Sequence, residues 1–167
     1  MRQHRIMAAA IAVVAYLGAA SGAFAKPIGT DFLHHAIEGD NSEMTLGKIA
    51  AQRGGTPGVR EFGRMLATDH SNGKLEAAGV ARKLNTYVPR SMAPEAIREK
   101  GKLSRLSGRD FDREFANYMV EDHKNDIADF EAEAAAVDDP PIVALAKKTL
   151  PVLRKHLETA SRLAAVN

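Results

Sequence analysis

Phe111 to Val137, FDREFANYMVEDHKNDIADFEAEAAAV, decides the fold. Phe111, Phe115, Met119, Ile127, Phe130, Ala134 and Val137 recur at three- and four-residue steps, the period of an amphipathic helix. His123 interrupts this stripe, with Asp122 before it. Asp69-His70 repeats the pair on an earlier stripe of the same kind, formed by Val59, Phe62, Leu66, Gly73, Ala77, Val80 and Leu84. The two stretches align without gaps at a spacing of 53 residues: Glu61-Phe62 with Glu114-Phe115, Leu66 with Met119, and Asn72 with Asn125. A duplicated helical hairpin is the reading this suggests.

Two more helices flank these. Thr30 or Asp31 is expected to cap a helix that runs to Arg53 and stops at Gly54-Gly55. Its expected buried stripe is Leu33, Ile37, Met44, Gly47 and Ala51, with Glu43 at the margin. Thr56-Pro57 opens the second helix, which ends near Asn85; proline in a first turn sacrifices no hydrogen bond. The last helix runs from Pro141 to about Ala165, with Ile142, Ala146, Thr149, Leu153, His156, Ala160 and Leu163 inward and a kink expected at Pro151. Between the hairpins, Thr86 to Gly108 is a crossover holding one short basic helix from Ala93 or Pro94 to about Leu106. The predicted fold is therefore all-α: an up-down four-helix bundle with one short extra helix in the crossover.

Composition sets further bounds. The chain has 167 residues and no cysteine, so packing and polar contacts must hold it without disulfides. Arg2, His4 and Arg5 precede an apolar run from Ile6 to about Leu17, and Ala23-Phe24-Ala25 follows. This predicts a secretory signal peptide over residues 1–25, a mature bundle domain over 26–167, and a periplasmic or envelope location. Removing Arg2 and Arg5 from the 23 basic residues leaves 21, against 21 acidic ones. A net charge of zero gives no drive towards nucleic acid. The rest of the chain has no second apolar run, so no transmembrane span is expected in the mature protein.

Each long helix carries one inward polar candidate. At about 1.5 Å per residue, Glu43 and His70 lie about 15 and 20 Å from the turn they share, and His123 and His156 about 21 and 22 Å from theirs. Hairpins packed in register bring Glu43, His70, His123 and His156 to one level. Three inward histidines are costly to bury without partners, which Glu43, Asp69 and Asp122 could supply. Two readings stay open. One is a mononuclear metal site of three histidines and Glu43 for iron, zinc or copper, with Asp69 and Asp122 holding the far ring nitrogens. The other is a metal-free polar network that fixes helix register, in a protein that serves the envelope or a stress response through a protein partner. There is no nucleophile elbow, phosphate loop, H-E-x-x-H or cysteine nucleophile, which leaves metal-dependent oxidation at a site with an open position as the one enzymatic reading, weaker than the other two. His34 and His35 are neighbours about 100° apart on a helix and are not expected to share an ion; Glu38 is expected near His34.

The segments Asp31-Phe32-Leu33, Ser42 to Ala50, Val59-Arg60-Glu61-Phe62-Gly63, Met65 to His70, Met119 to His123 and Thr149 to Leu157 together resemble an exported bacterial family, domain of unknown function 4142. Its members are often labelled outer-membrane proteins and described as ferritin-like. The resemblance implies a ferritin-like bundle over about Asp31 to Leu163 and brings no reaction with it. Di-iron bundles place a glutamate three residues before each histidine. Here Ala67 and Val120 stand at those positions, so the resemblance does not extend to a di-iron site.

Overall fold

The computed structural model describes residues 28–166. Helix α1 spans Gly29–Arg53, α2 Pro57–Lys83, α3 Pro94–Leu103, α4 Gly108–Ala134 and α5 Pro140–Val166. The four long helices form the bundle, and α3 lies in the crossover. Helix α1 packs most extensively on α2, and α4 on α5. The expected signal peptide lies outside the described residues. Among the described residues no helix is long and apolar enough to cross a membrane.

The apolar core comes in two blocks. One gathers Phe32, Leu33 and Ile37 of α1 with Ala77 and Ala81 of α2, Phe130 of α4, and Ile142 to Leu153 of α5. The other gathers Leu46 and Ala50 with Val59, Phe62 and Leu66, the crossover residues Ala96 and Leu103, Phe111, Phe115 and Met119, and Ala160. The blocks fill opposite ends of the bundle. Glu43, His70, His123 and His156 fall between them in every helix and are at most 5% exposed.

Close helix approach sets the geometry of the first hairpin. A Cβ at Gly63 would lie 2.5 Å from Ala51 N and 2.6 Å from Gly47 O, and one at Gly47 would lie 2.7 Å from Gly63 O. The two glycines let the α1 and α2 backbones touch. Gly47 thus has the buried place its stripe assigned, but the stripe is rotated from the expected one. Leu46 and Ala50 are buried, Met44 and Ala51 only half-buried, and Glu43 faces the centre rather than the margin. The close α2 backbone turns that face inward.

Caps come partly from distant side chains. Helix α1 begins at Gly29 rather than at a Thr30 or Asp31 cap, because the Gly29 N–H donates to Glu133 Oε2 of α4 at 2.8 Å. Thr56 and Pro57 open α2 as expected, with Thr56 Oγ1 accepting from Val59 N. Asp112 of α4 adds to this turn, accepting from Gly55 N and Thr56 N at 2.7 Å each. Asp112 is fully buried. Asp112→Ala strands both donors and is expected to cost about 2 kcal/mol, lowering Tm by roughly 6 °C in a thermal melt. The crossover is fastened to α1 by buried polar groups: Asn41 Nδ2 donates to the carbonyls of Pro89 and Ser91, and Ser42 Oγ accepts from Ala93 N. Helix α3 ends at Leu103, short of the expected Leu106. Helix α4 ends at Ala134, and Val137 is 90% exposed in the turn to α5 rather than on the stripe. Helix α5 runs as one helix through Pro151.

Candidate metal centre

The polar layer brings together all four residues that the sequence placed at one level. The ring centroids of His70, His123 and His156 are 5.2–5.9 Å apart. Each ring offers a nitrogen within 4.8 Å of the others. Glu43 sits among them, with Oε2 2.9 Å from His70 Nε2 and Oε1 3.2 Å from His123 Nδ1.

Each histidine is anchored through one ring nitrogen. His70 Nδ1 meets Asp40 Oδ1 at 2.9 Å, His123 Nδ1 meets the Met119 carbonyl at 3.0 Å, and His156 Nε2 meets Asp69 Oδ2 at 3.0 Å. The Met119 carbonyl only accepts, so His123 Nδ1 carries the hydrogen and Nε2 the lone pair. By the same argument the Asp69 carboxylate places the hydrogen of His156 on Nε2 and the lone pair on Nδ1. Those two lone-pair nitrogens, His123 Nε2 and His156 Nδ1, are buried and have no hydrogen-bond partner.

The charges divide unevenly. Burial alone would raise the Glu43 carboxyl, but the neighbouring His123 and His70 hold it down at about 2. Burial alone would lower His70, but the Glu43 charge and the Asp40 contact raise it well above the ordinary range, so it is a cation between two carboxylates. Burial lowers His123 against the pull of Glu43, and burial with the neighbouring histidines lowers His156 to about 4; both rings are neutral at pH 7. Asp122 is pushed up to about 8, and Asp126 is raised well above the ordinary carboxyl range, by burial and by the charge on Glu43.

The two aspartates expected around the cluster behave differently. Asp69 holds a far ring nitrogen, that of His156 rather than of its neighbour His70. Asp122 holds none: the His123 N–H turns along its own helix to Met119, and Asp122 instead brings an oxygen within 4.8 Å of Glu43 and His123. Sequence reasoning missed Asp40, the partner of His70, and Asp126. Asp40 lies one turn before Glu43 on the inward face of α1, and Gly73 makes room for it: a Cβ there would lie 2.9 Å from Asp40 Oδ1. That glycine was legible as missing bulk near His70, though not as space for a carboxylate. His34 is outside the cluster, bonded to Thr86 Oγ1 at 3.0 Å, while Glu38 accepts from Ser91 Oγ.

Solved structures of two other proteins share this architecture. CopM in its Cu(II)-bound form superposes with a TM-score of 0.70 at 14% identity, over 84% of this chain and 98% of that one. A DUF305 fragment from Deinococcus radiodurans gives 0.71 at 17% identity, over 81% and 94%. CopM in its Ag-bound form gives 0.66 at 15% identity, over 81% and 94%. At these identities the likeness is one of fold. No curated protein matches the chain. The family described as a domain of unknown function, DUF4142, matches residues 16–163, and the chain belongs to it.

Proposed function

We propose that the protein is an exported, periplasmic metal-binding bundle that takes one Cu(II) ion per chain at His70, His123, His156 and Glu43. The observation that carries this reading is the pair of buried, unpartnered nitrogens, His123 Nε2 and His156 Nδ1, on rings fixed through their other nitrogens. A buried lone pair left unmatched is costly unless something binds it. Anchoring the far nitrogen of an imidazole sets its tautomer and raises its basicity as a ligand.

The donor set selects the ion. Three imidazoles and a carboxylate, with no sulfur, suit a divalent borderline ion, and among these Cu(II) generally binds most tightly. Zinc and iron are the competing ions. The shared fold with CopM, whose structures include a Cu(II)-bound form, supports copper. Glu43, which His70 now faces at 2.9 Å, would hold a divalent ion as its counter-ion in place of the His70 charge.

Elemental analysis of the mature chain, residues 26–167, purified from the periplasm without an affinity tag, tests the proposal. About one copper per chain is expected, with the site resisting washing as structural ions do. Less than about a tenth per chain after soaking in Cu(II) and washing overturns it. That result would favour the metal-free polar network, for which the His70 cation between Asp40 and Glu43 is the supporting feature. The network reading expects a His70, His123 double substitution mainly to lower Tm.

Proton release provides a second check. His123 and His156 are neutral at pH 7 and His70 is charged. Binding should therefore expel about one proton per ion, from His70, and affinity should rise with pH at a slope of about one log unit per pH unit. Calorimetry in two buffers of different ionisation enthalpy reads the number. Release of three protons would contradict the assigned charges.

A further inference from the structure

The buried layer has two flanks, and they differ in charge. Between α1, α3 and α4 runs a cleft of about 380 Å³ lined by Glu38, Glu95, Asp122, Asp126, Asp129 and His35, with no lysine or arginine on its walls. Between α2 and α5 lies a groove of about 360 Å³ that borders His70 and mixes charges, its walls carrying Asp40, Asp69 and Glu76 together with Lys148 and Lys155.

The acidic cleft leads inward. Asp126, Gly39, Ala36 and Phe130 line the cleft and also a void of about 20 Å³ that touches Asp40, Glu43 and His70. That volume accommodates about one water-sized particle. Asp122, on the cleft wall, brings an oxygen within 4.8 Å of donor atoms of Glu43 and His123. Glu43 is 1% exposed, and its Oε1 approaches only His123 Nδ1, at 3.2 Å and without hydrogen-bond geometry. Carboxyl oxygens of Asp122 and Glu43 thus lead from the cleft wall to the imidazoles.

Gly39 stands at the neck. It is interior to α1, where glycine costs about 1 kcal/mol relative to alanine. No packing contact explains it: a Cβ there would meet nothing within 4 Å, and its φ is not in the left-handed region. Gly47, Gly63 and Gly73 on the same hairpin all have close neighbours in that position. Gly39 is one of the four residues that line both the cleft and the void.

We infer that the α1–α3–α4 cleft is the path by which a divalent cation reaches the buried histidines, with Glu38 and Glu95 drawing it in, Gly39 keeping the neck open, and Asp122 with Glu43 handing it inward. The inference rests on the metal-binding reading and adds the route. An acidic mouth over low-dielectric walls concentrates cations and speeds their arrival, most strongly at low ionic strength.

The test is stopped-flow mixing of the mature chain with Cu(II), followed by copper–imidazole absorption. Gly39→Leu plugs the neck and should slow uptake at least tenfold, with the final stoichiometry unchanged. Gly79→Leu is the control, since Gly79 also has no neighbour within 4 Å but lies on α2 away from the cleft; it should bind at the wild-type rate. Glu95→Lys, at the exposed mouth, should slow uptake severalfold and flatten its dependence on salt. A wild-type rate in Gly39→Leu overturns the route and leaves the α2–α5 groove as the path, with the metal site intact. If Gly39→Leu does not fold, Glu95→Lys decides, and a wild-type rate and salt dependence overturn the route. Failure of the unaltered chain to take up copper overturns both the route and the metal site.

Discussion

Copper binding by His123→Ala is expected to be at least about a hundredfold weaker than by the unaltered chain, beyond what loss of an outer-shell partner usually costs. His123 is fully buried, its Nδ1 is bonded to the carbonyl of Met119 on its own helix, and its Nε2 has no hydrogen-bond partner. Removing it takes away one of three nitrogen donors and leaves Glu43 Oε1 without its contact at 3.2 Å. Helix α4 retains its backbone bonds, so far-UV circular dichroism should be unchanged while equilibrium dialysis shows the loss. His34→Ala is the matched control, because His34 is partly buried but bonded to Thr86, away from the cluster. Equal copper affinity in the two variants would remove His123 from the site. Asp69→Asn should have a smaller effect, about tenfold, since it loosens the orientation of His156 without removing a donor.

The second large effect concerns stability. Gly63→Leu should lower Tm by roughly 10 °C, corresponding to about 3 kcal/mol, the upper end of the usual penalty for overpacking. The three nearest neighbours of the added Cβ are all backbone: Ala51 N at 2.5 Å, Gly47 O at 2.6 Å and the carbonyl carbon of Ala50 at 2.9 Å. Backbone cannot swing aside as a side chain does, so α1 and α2 must separate along their contact. Separation would also move Glu43, one turn before Gly47, away from His70. The variant should therefore lose copper affinity as well, although residue 63 touches no donor. Gly47→Ala together with Gly63→Ala should cost less than the sum of the two, because the first substitution already parts the helices. A Tm within about 2 °C of the unaltered protein would show that the helices do not touch there.

The candidate site divides along similar lines. The level shared by Glu43, His70, His123 and His156 followed from a fixed rise per residue and two short turns, because distance along a straight helix is counted in residues. Their partners did not follow. His70 takes Asp40 instead of its sequence neighbour Asp69, and Asp69 reaches across to His156 on α5. Neighbours on a helix point about 100° apart, so an aspartate beside a histidine faces another helix. Periodicity also misplaced Glu43, since a stripe of alanines, glycines and methionines leaves its exact azimuth open.

By itself the sequence determined four long amphipathic helices and a short crossover helix, their approximate ends, the inward faces of α2, α4 and α5, and one polar residue per helix at mid-height. These depend on local quantities: the 3.6-residue period, the glycine and proline stops, and the rise per residue. The tertiary structure alone decided the rotation of α1, set by the Gly47–Gly63 backbone contact, and the caps given by Asp112 and Glu133 from α4. It alone decided which carboxylate holds which ring, which ring nitrogens are left buried without a hydrogen-bond partner, and that the acidic cleft is lined by Gly39. Each of these depends on how one helix is turned and spaced against another, and side chains far apart in the chain fix that together.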